Sequence, residues 1–251
     1  MIWVLSLENS EESRLELISL KDLKRINEAA QVFRIDLILI GGYAVRAYTN
    51  PRSWRFTKDM DFLTTSRDLG GLRGVFDVLG YSFERTEFGL KGGKKVNKDF
   101  IELHVSVDKV IDWSTGREYR LPEDIFAKAD NVRVKASLEE NKGLDVQVKV
   151  APIEDVVIMK LMTERPRDRF DAIAVILDSF DYLDVLRFKE NCTQDDLHRH
   201  MCNRLESVLT DIRRGLVKEL WREFTGREFI RQQQVDLRAK INKLVEALRV
   251  F

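Results

Sequence analysis

Cysteine is scarce in this sequence, and long apolar runs are absent. Only Cys192 and Cys202 occur among the 251 residues. Two cysteines are too few for a disulfide framework, so we expect a reducing compartment. No run of about 18 apolar residues could form a membrane-spanning helix, and residues 1–7 are followed at once by acidic residues instead of the segments of a signal peptide. We therefore expect a soluble, cytoplasmic protein without a membrane partner.

A net charge is also absent, since Lys plus Arg and Asp plus Glu both number 42. No global field therefore attracts the protein to nucleic acid or anionic lipid, and any contact with a polyanion must come from a local patch. The hydrophobic fraction of 44% is enough to bury a full core. The length fits one large domain or two smaller ones.

The apolar pattern predicts an α+β fold. It indicates a helix over residues 12–34, a buried strand over 35–40, a short helix over 43–48 and a strand around 58–63. It then indicates a helix over 69–79, strands over 81–88 and 100–107 joined by a Gly- and Lys-rich hairpin loop, and weak strands near 132 and 146–150. From Pro152 onward the pattern is helical. We expect an N-terminal mixed β-sheet flanked by helices over residues 1–150, followed by an all-helical domain over 151–251.

Carboxylates lie on one face of two of these strands. Alternation places Asp59 and Asp61 on the same face, roughly 6 to 7 Å apart, where a divalent cation would relieve their repulsion. In the strand at 100–107, Glu102, His104 and Ser106 share one face. Asp59, Asp61 and Glu102 therefore form a candidate metal site. The alternative is a surface strand whose acidic residues simply face water.

The Gly41-Gly42 pair separates the first strand from the short helix. Glycines at this position let the backbone approach a phosphate, and the helix start offers free N–H groups to an anion. The full G-x-G-x-x-G and P-loop patterns are absent, so neither of those folds is indicated. A tight strand-to-helix connection is the alternative interpretation.

Three segments resemble the polymerase-β-type nucleotidyltransferases. They are IGGYAV at residues 40–45, RFTKDMDF at residues 55–62 and KLMTERPRDRFD at residues 160–171. The Arg-x-Thr-x-Asp-x-Asp form is particularly similar to the abortive-infection (AbiEii-like) toxin nucleotidyltransferases and related minimal transferases. The resemblance covers about residues 36–180.

The resemblance implies a role for each matching residue. Asp59, Asp61 and Glu102 would be the catalytic metal ligands, with Asp99 or Asp108 as alternatives to Glu102. The cofactor would be Mg²⁺, as two ions, with Mn²⁺ as a substitute. The residues implied to bind the nucleotide, such as ATP, are Gly41, Gly42, Tyr43, Arg55, Thr57, Lys58 and Lys160.

The implied reaction moves a nucleoside monophosphate from a nucleoside triphosphate to a hydroxyl of RNA, tRNA or protein and releases pyrophosphate. The alternative is a non-catalytic module of a toxin–antitoxin-like system that senses a nucleotide or binds a partner.

Four other features have competing interpretations. A basic segment could guide a nucleic-acid acceptor or could be a solvated loop. Lys160 could contact phosphate or form helix-face ion pairs with Asp168 and Asp171. His104 is interpreted as a residue that lines the site or packs, not as a catalytic base. Helical spacing disfavours a zinc site around residues 192–202. The basic segment contains Arg46, Arg52, Trp54, Arg55 and Lys58. The zinc site considered around residues 192–202 would use Cys192, His198, His200 and Cys202.

Overall fold

The chain forms two units in the computed structural model, which describes residues 2–138, 141, 143–194 and 196–249, with side chains from Glu11 onward. The first unit comprises residues 1–47, 56–108 and 123–151, and the second comprises 48–55, 109–122 and 152–251. Two short segments that precede residue 150 therefore group with the second unit. The assignment of residues 1–150 and 151–251 as separate domains stays a prediction.

The first unit is a seven-stranded mixed sheet with helices. Its elements are α1 Ile2–Phe33, β1 Leu37–Ile40, α2 Gly41–Ala47, β2 Met60–Thr64, α3 Leu69–Val78, β3 Ser82–Thr86, β4 Gly89–Val96, β5 Asp99–Val107, β8 Asp130–Lys135 and β9 Asp145–Val150. The strands follow the order β3-β4-β5-β2-β1-β9-β8, and the pairs β1/β9 and β2/β5 are parallel.

The core of this unit lies between α1 and the sheet. Leu20, Leu23 and Ile26 of α1 have no exposed surface, and neither do Phe62 of β2 and Leu103 of β5. In β5 the odd-numbered residues from 101 to 107 are buried while the even-numbered ones are partly or fully exposed. Strand β5 therefore turns one face to the core and leaves its other face open, as an alternating strand requires.

One sequence prediction for this unit is wrong. The Gly- and Lys-rich segment expected to be a hairpin loop forms strand β4, which pairs with β3 on one side and β5 on the other. Glycine and lysine are uncommon in strands, but pairing with two neighbouring strands outweighs this local propensity.

The second unit is helical apart from a short hairpin of β6 and β7. Its core contains the rings of Phe170, Trp221 and Phe229, which pack against each other at tilted angles. Its elements are β6 Lys109–Asp112, β7 Arg117–Arg120, α4 Ile153–Leu161, α5 Pro166–Ser179, α6 Val185–Asn191, α7 Leu197–Arg214, α8 Leu216–Thr225 and α9 Arg231–Arg249. The α+β prediction, a mixed sheet with helices followed by C-terminal helices, is confirmed.

Candidate active site

The predicted acids lie on adjacent strands of the first unit. Strands β2 and β5 are parallel, and Asp61 pairs with His104 in their register. Asp59 immediately precedes β2, and its Oδ1 accepts a hydrogen bond of 2.9 Å from the backbone N–H of Glu102. Met60 and Phe62 have no exposed surface. Asp59 and Asp61 therefore share the open face of the sheet because the residues between and after them face the core.

Gly41 lies directly against Asp61. Ile40, the last residue of β1, pairs with Asp61, and Gly41 follows with a φ of +70°. A Cβ on Gly41 would lie only 2.0 Å from Oδ2 of Asp61. Glycine is therefore required at position 41 for two reasons. Residues with a side chain disfavour this backbone conformation, and no side chain fits between the start of α2 and the Asp61 carboxylate.

His104 lies between two of the acids. Its Nδ1 is 3.2 Å from Oδ1 of Asp61, and its Nε2 is 3.9 Å from Oε2 of Glu102. The hydrogen bond to Asp61 raises the pKa of the His104 imidazole above its ordinary value, against the opposing effect of partial burial. The sequence pattern placed His104 on this face but gave no signal that it would contact Asp61.

Burial also perturbs Asp59. It raises the pKa of the Asp59 carboxyl above its ordinary value and outweighs the hydrogen bond from the Glu102 amide and the nearby charge of Lys58. The negative charges of Asp61 and Glu102 act in the same direction as burial. A cation bound between the three carboxylates would offset the repulsion between their negative charges.

The register separates Glu102 from the other candidates for the third acid. Strands β4 and β5 pair without a bulge from Asp99 to Ser106, so Asp99 lies on the same face as the buried Ile101 and Leu103. Asp108 follows the far end of β5, beyond the pairing of Val107 with the last residue of β2. Of the three acids, Glu102 is the one beside Asp59 on the open face.

These side chains do not yet form a complete metal site. Among the described residues, no three His, Cys, Asp or Glu side chains come close enough together to hold an ion. The chemical types of these donors suit a divalent cation, because three carboxylates and an imidazole line one face, and Nδ1 of His104 lies 3.2 Å from Oδ1 of Asp61. The three-carboxylate metal site stays a prediction.

Tyr43 is buried beneath this site. It has no exposed surface, and its hydroxyl donates a hydrogen bond of 3.0 Å to Oγ of Ser19, which in turn donates to the carbonyl oxygen of Lys58. Burial raises the pKa of Tyr43 to about 12. The phenol of Tyr43 is therefore not accessible to a nucleotide. Of the predicted nucleotide contact of Tyr43, only a contact through its backbone remains.

Arg46 supports the fold of the first unit. It is 3% exposed and donates a hydrogen bond of 2.7 Å to Glu16. It is therefore not part of a basic surface that could guide an acceptor. Thr57 and Lys58 are partly exposed, and their predicted nucleotide contacts stay predictions.

Arg55 and Lys160 are paired within the second unit. Arg55 donates two hydrogen bonds of 2.7 Å to Asp171. Lys160 is 8% exposed and lies 2.6 Å from Asp168 and 2.8 Å from Asp171. The predicted ion pairs of Lys160 are therefore present, whereas phosphate binding by Arg55 and Lys160 stays a prediction.

The histidines of the second unit contact backbone oxygens. Nε2 of His198 is 2.8 Å from the Leu248 carbonyl oxygen, and Nε2 of His200 is 3.3 Å from that of Leu161. Burial raises the pKa of the Cys192 thiol above its ordinary value.

Throughout the described part of the chain, none of the helices combines the length and apolar composition needed to cross a membrane.

Comparison with known proteins links these features to a family. A family model described as nucleotidyl transferase AbiEii toxin, type IV TA system, matches residues 23–250. No curated protein matches the sequence.

Two solved structures of the antibiotic-resistance factor ANT(2″)-Ia are similar to the chain. The first is a crystal structure in complex with adenylyl-2″-tobramycin, 15% identical, with a TM-score of 0.46 over 68% of this chain and 93% of that one. The second is a solution structure, 14% identical, with a TM-score of 0.41 over 68% of this chain and 88% of that one.

Proposed function

This chain belongs to the AbiEii nucleotidyltransferase toxin family, and we propose that it moves a nucleoside monophosphate from a nucleoside triphosphate to a hydroxyl of an RNA or protein acceptor. Pyrophosphate is the second product. The observation that supports this proposal most directly is the placement of Asp61 against Gly41, with Asp59 and Glu102 beside it on the same open face. The proposal includes an antitoxin as a further partner.

Divalent cations belong to this proposal. Asp59, Asp61 and Glu102 would hold Mg²⁺, the hard cation that carboxylate oxygens suit. When bound, such a cation lowers the pKa of an attacking hydroxyl and neutralises charge on the phosphates. The donor set supports this assignment, since the three acids lie on one open face at adjacent parallel strands.

The protein groups have separate tasks in this proposal. The Glu102 amide holds the carboxylate of Asp59 toward β5. Gly41 leaves room for Asp61 beside the start of α2, and the backbone of Gly41 and Gly42 would contact the phosphates. Holding the phosphates and the acids in fixed positions lowers the entropic cost of the reaction.

The test uses Asp61→Asn, with Asp77→Asn as a matched control on the exposed side of α3. Purified protein is incubated with each labelled nucleoside triphosphate and divalent cation, with separate pools of RNA and protein as acceptors. We expect Asp61→Asn to reduce incorporation about 1000-fold, because loss of a metal ligand removes several kcal/mol of transition-state stabilisation. Asp77→Asn should retain full activity.

Two results would count against the proposal. Full incorporation by Asp61→Asn would show that this face is not the active site. Cation-dependent binding of triphosphate by the wild-type protein, with no incorporation into either pool, would favour a nucleotide-sensing module instead. The pool that becomes labelled identifies the acceptor class.

A further inference from the structure

Four side chains form a two-by-two array on the open face of β2 and β5. Asp59 and Glu102 form the first row, which is linked by the hydrogen bond from the Glu102 amide. Asp61 and His104 form the second row and are partners in the parallel register. The first row offers two carboxylates, whereas the second offers one carboxylate and one imidazole. The array therefore presents two chemically different positions to cations.

We propose that His104 is a metal ligand in the second row and makes that position prefer Mn²⁺ to Mg²⁺, an inference that rests on the proposed nucleotidyl transfer. Mg²⁺ binds oxygen donors almost exclusively and keeps several waters. Imidazole nitrogen is a ligand of transition metals, and Mn²⁺ is the transition metal that shares the carboxylate preference of Mg²⁺. A row with one donor of each kind therefore selects against Mg²⁺.

The separation of the two donors fits a shared ion. Nδ1 of His104 and Oδ1 of Asp61 are 3.2 Å apart. Adjacent ligands at about 2.1 Å from an octahedral ion lie about 3 Å from each other. Oδ2 of Asp61 lies directly against Gly41. The other oxygen of this carboxylate, Oδ1, is therefore the one directed at His104. The donor pair is thus already arranged before any ion binds.

A competing role for His104 is to orient Asp61 by a hydrogen bond alone. Residues paired in a parallel ladder lie close together in any sheet, so proximity by itself does not decide between the roles. The hydrogen bond to Asp61 is made by Nδ1, whereas Nε2 is 3.9 Å from Oε2 of Glu102, beyond hydrogen-bond length. The His104 side chain is 34% exposed, so a cation can reach the ring from solvent.

The primary experiment is electron spin-echo envelope modulation spectroscopy of Mn²⁺ bound to the full chain. Direct ligation predicts a nitrogen coupling in the wild-type protein, and labelling all histidines with a heavier nitrogen isotope should change that coupling. Bound Mn²⁺ without a histidine nitrogen coupling in the wild-type protein would overturn the inference. This measurement does not depend on the folding of any variant.

A variant pair separates ligation from orientation. His104→Asn keeps an amide near the position of Nδ1 that can still hydrogen-bond Asp61, but it removes the imidazole. His200→Asn is the matched control, because His200 contacts only the Leu161 carbonyl among the hydrogen bonds described for it. We expect His104→Asn to lose the nitrogen coupling and to weaken binding of Mn²⁺ relative to Mg²⁺ at least about tenfold. His200→Asn should change neither.

The outcomes distinguish this inference from the proposed function. An unchanged Mn²⁺ to Mg²⁺ preference and an unchanged nitrogen coupling in His104→Asn would refute ligation by His104. If the wild-type protein transfers nucleotide but shows no histidine coupling, the inference fails and the function stands. If the wild-type protein neither binds Mn²⁺ nor transfers nucleotide, the proposed function itself fails.

Discussion

Gly41 is the residue on which the position of Asp61 depends most directly. We expect Gly41→Ala to lower the free energy of unfolding by at least about 1 to 2 kcal/mol, since Ala is strained at a φ of +70° and its Cβ would collide with the carboxylate. Nucleotide transfer should fall with it because Asp61 must move. Thermal unfolding and incorporation assays would measure both effects.

Gly74→Ala is the control for that substitution. Gly74 lies in α3, where a Cβ would meet nothing within 4 Å. Ala at this position should stabilise the helix by up to about 1 kcal/mol and leave transfer unchanged. If Gly41→Ala behaved like Gly74→Ala, the close approach of Gly41 and Asp61 would not matter.

For single residues, the sequence predicted the strand face on which a side chain lies better than it predicted which residues that side chain contacts. The spacing of Asp59 and Asp61 placed both acids on the open face because strand alternation is a local rule. It could not show that Tyr43 is buried against Ser19, or that Arg55 is paired with Asp171. Those contacts join residues far apart in the chain, and no local pattern encodes them.

At the scale of elements, a buried ion pair joins α1 to α2. Glu16 has no exposed surface and accepts hydrogen bonds from Arg46, Ser137, Leu138 and Asn141. Burial alone would raise the pKa of the Glu16 carboxyl, but the charge of Arg46 and these hydrogen bonds lower it. The carboxylate is therefore ionised and central to the packing of α1.

Replacing Glu16 with Gln should destabilise the protein by about 3 kcal/mol, because the buried guanidinium of Arg46 loses its counter-charge. Glu28→Gln is the control on the same helix. Glu28 faces Lys24 at 3.9 Å with both side chains 58% exposed, so its loss should cost less than about 0.5 kcal/mol. Denaturant unfolding compares the two, and equal effects would contradict a structural role for the buried pair.

The elements themselves were predicted unevenly. The long apolar pattern of α1 and the strand before Gly41 indicated their structure correctly, because burial imposes a clear period. Strand β4 was missed since most of its residues are glycines and lysines, and its stability comes from pairing on both edges. The hairpin of β6 and β7 was missed because its two strands have only four residues each, too few to show a clear alternating pattern.

For the molecule as a whole, acid stability should depend on the buried charges of the helical unit. Lys160 and neighbouring groups hold the pKa of Asp168 at about 2, against the opposing effect of burial. A carboxyl with a lowered pKa stabilises the folded state above its ordinary pKa of about 4. This stabilisation is lost as the pH falls from about 4 toward 2.

The test compares unfolding free energies of wild type and Asp168→Asn between neutral pH and pH of about 2. We expect the difference between them to be largest at neutral pH and to shrink below pH of about 4. Asp181→Asn, at an exposed position in the second unit, should differ little from wild type at any pH. A difference that stays constant across this range would contradict the assignment.

Each unit of this protein is assembled from three separate stretches of the chain. Within the second unit, Arg55 reaches Asp171 and the hydroxyl of Tyr119 reaches Asp155, so residues encoded early are held by helices encoded late. A single recombination junction in the gene could not transfer either unit intact to another protein. Exchanging one unit between relatives while keeping the other would therefore require several simultaneous crossovers.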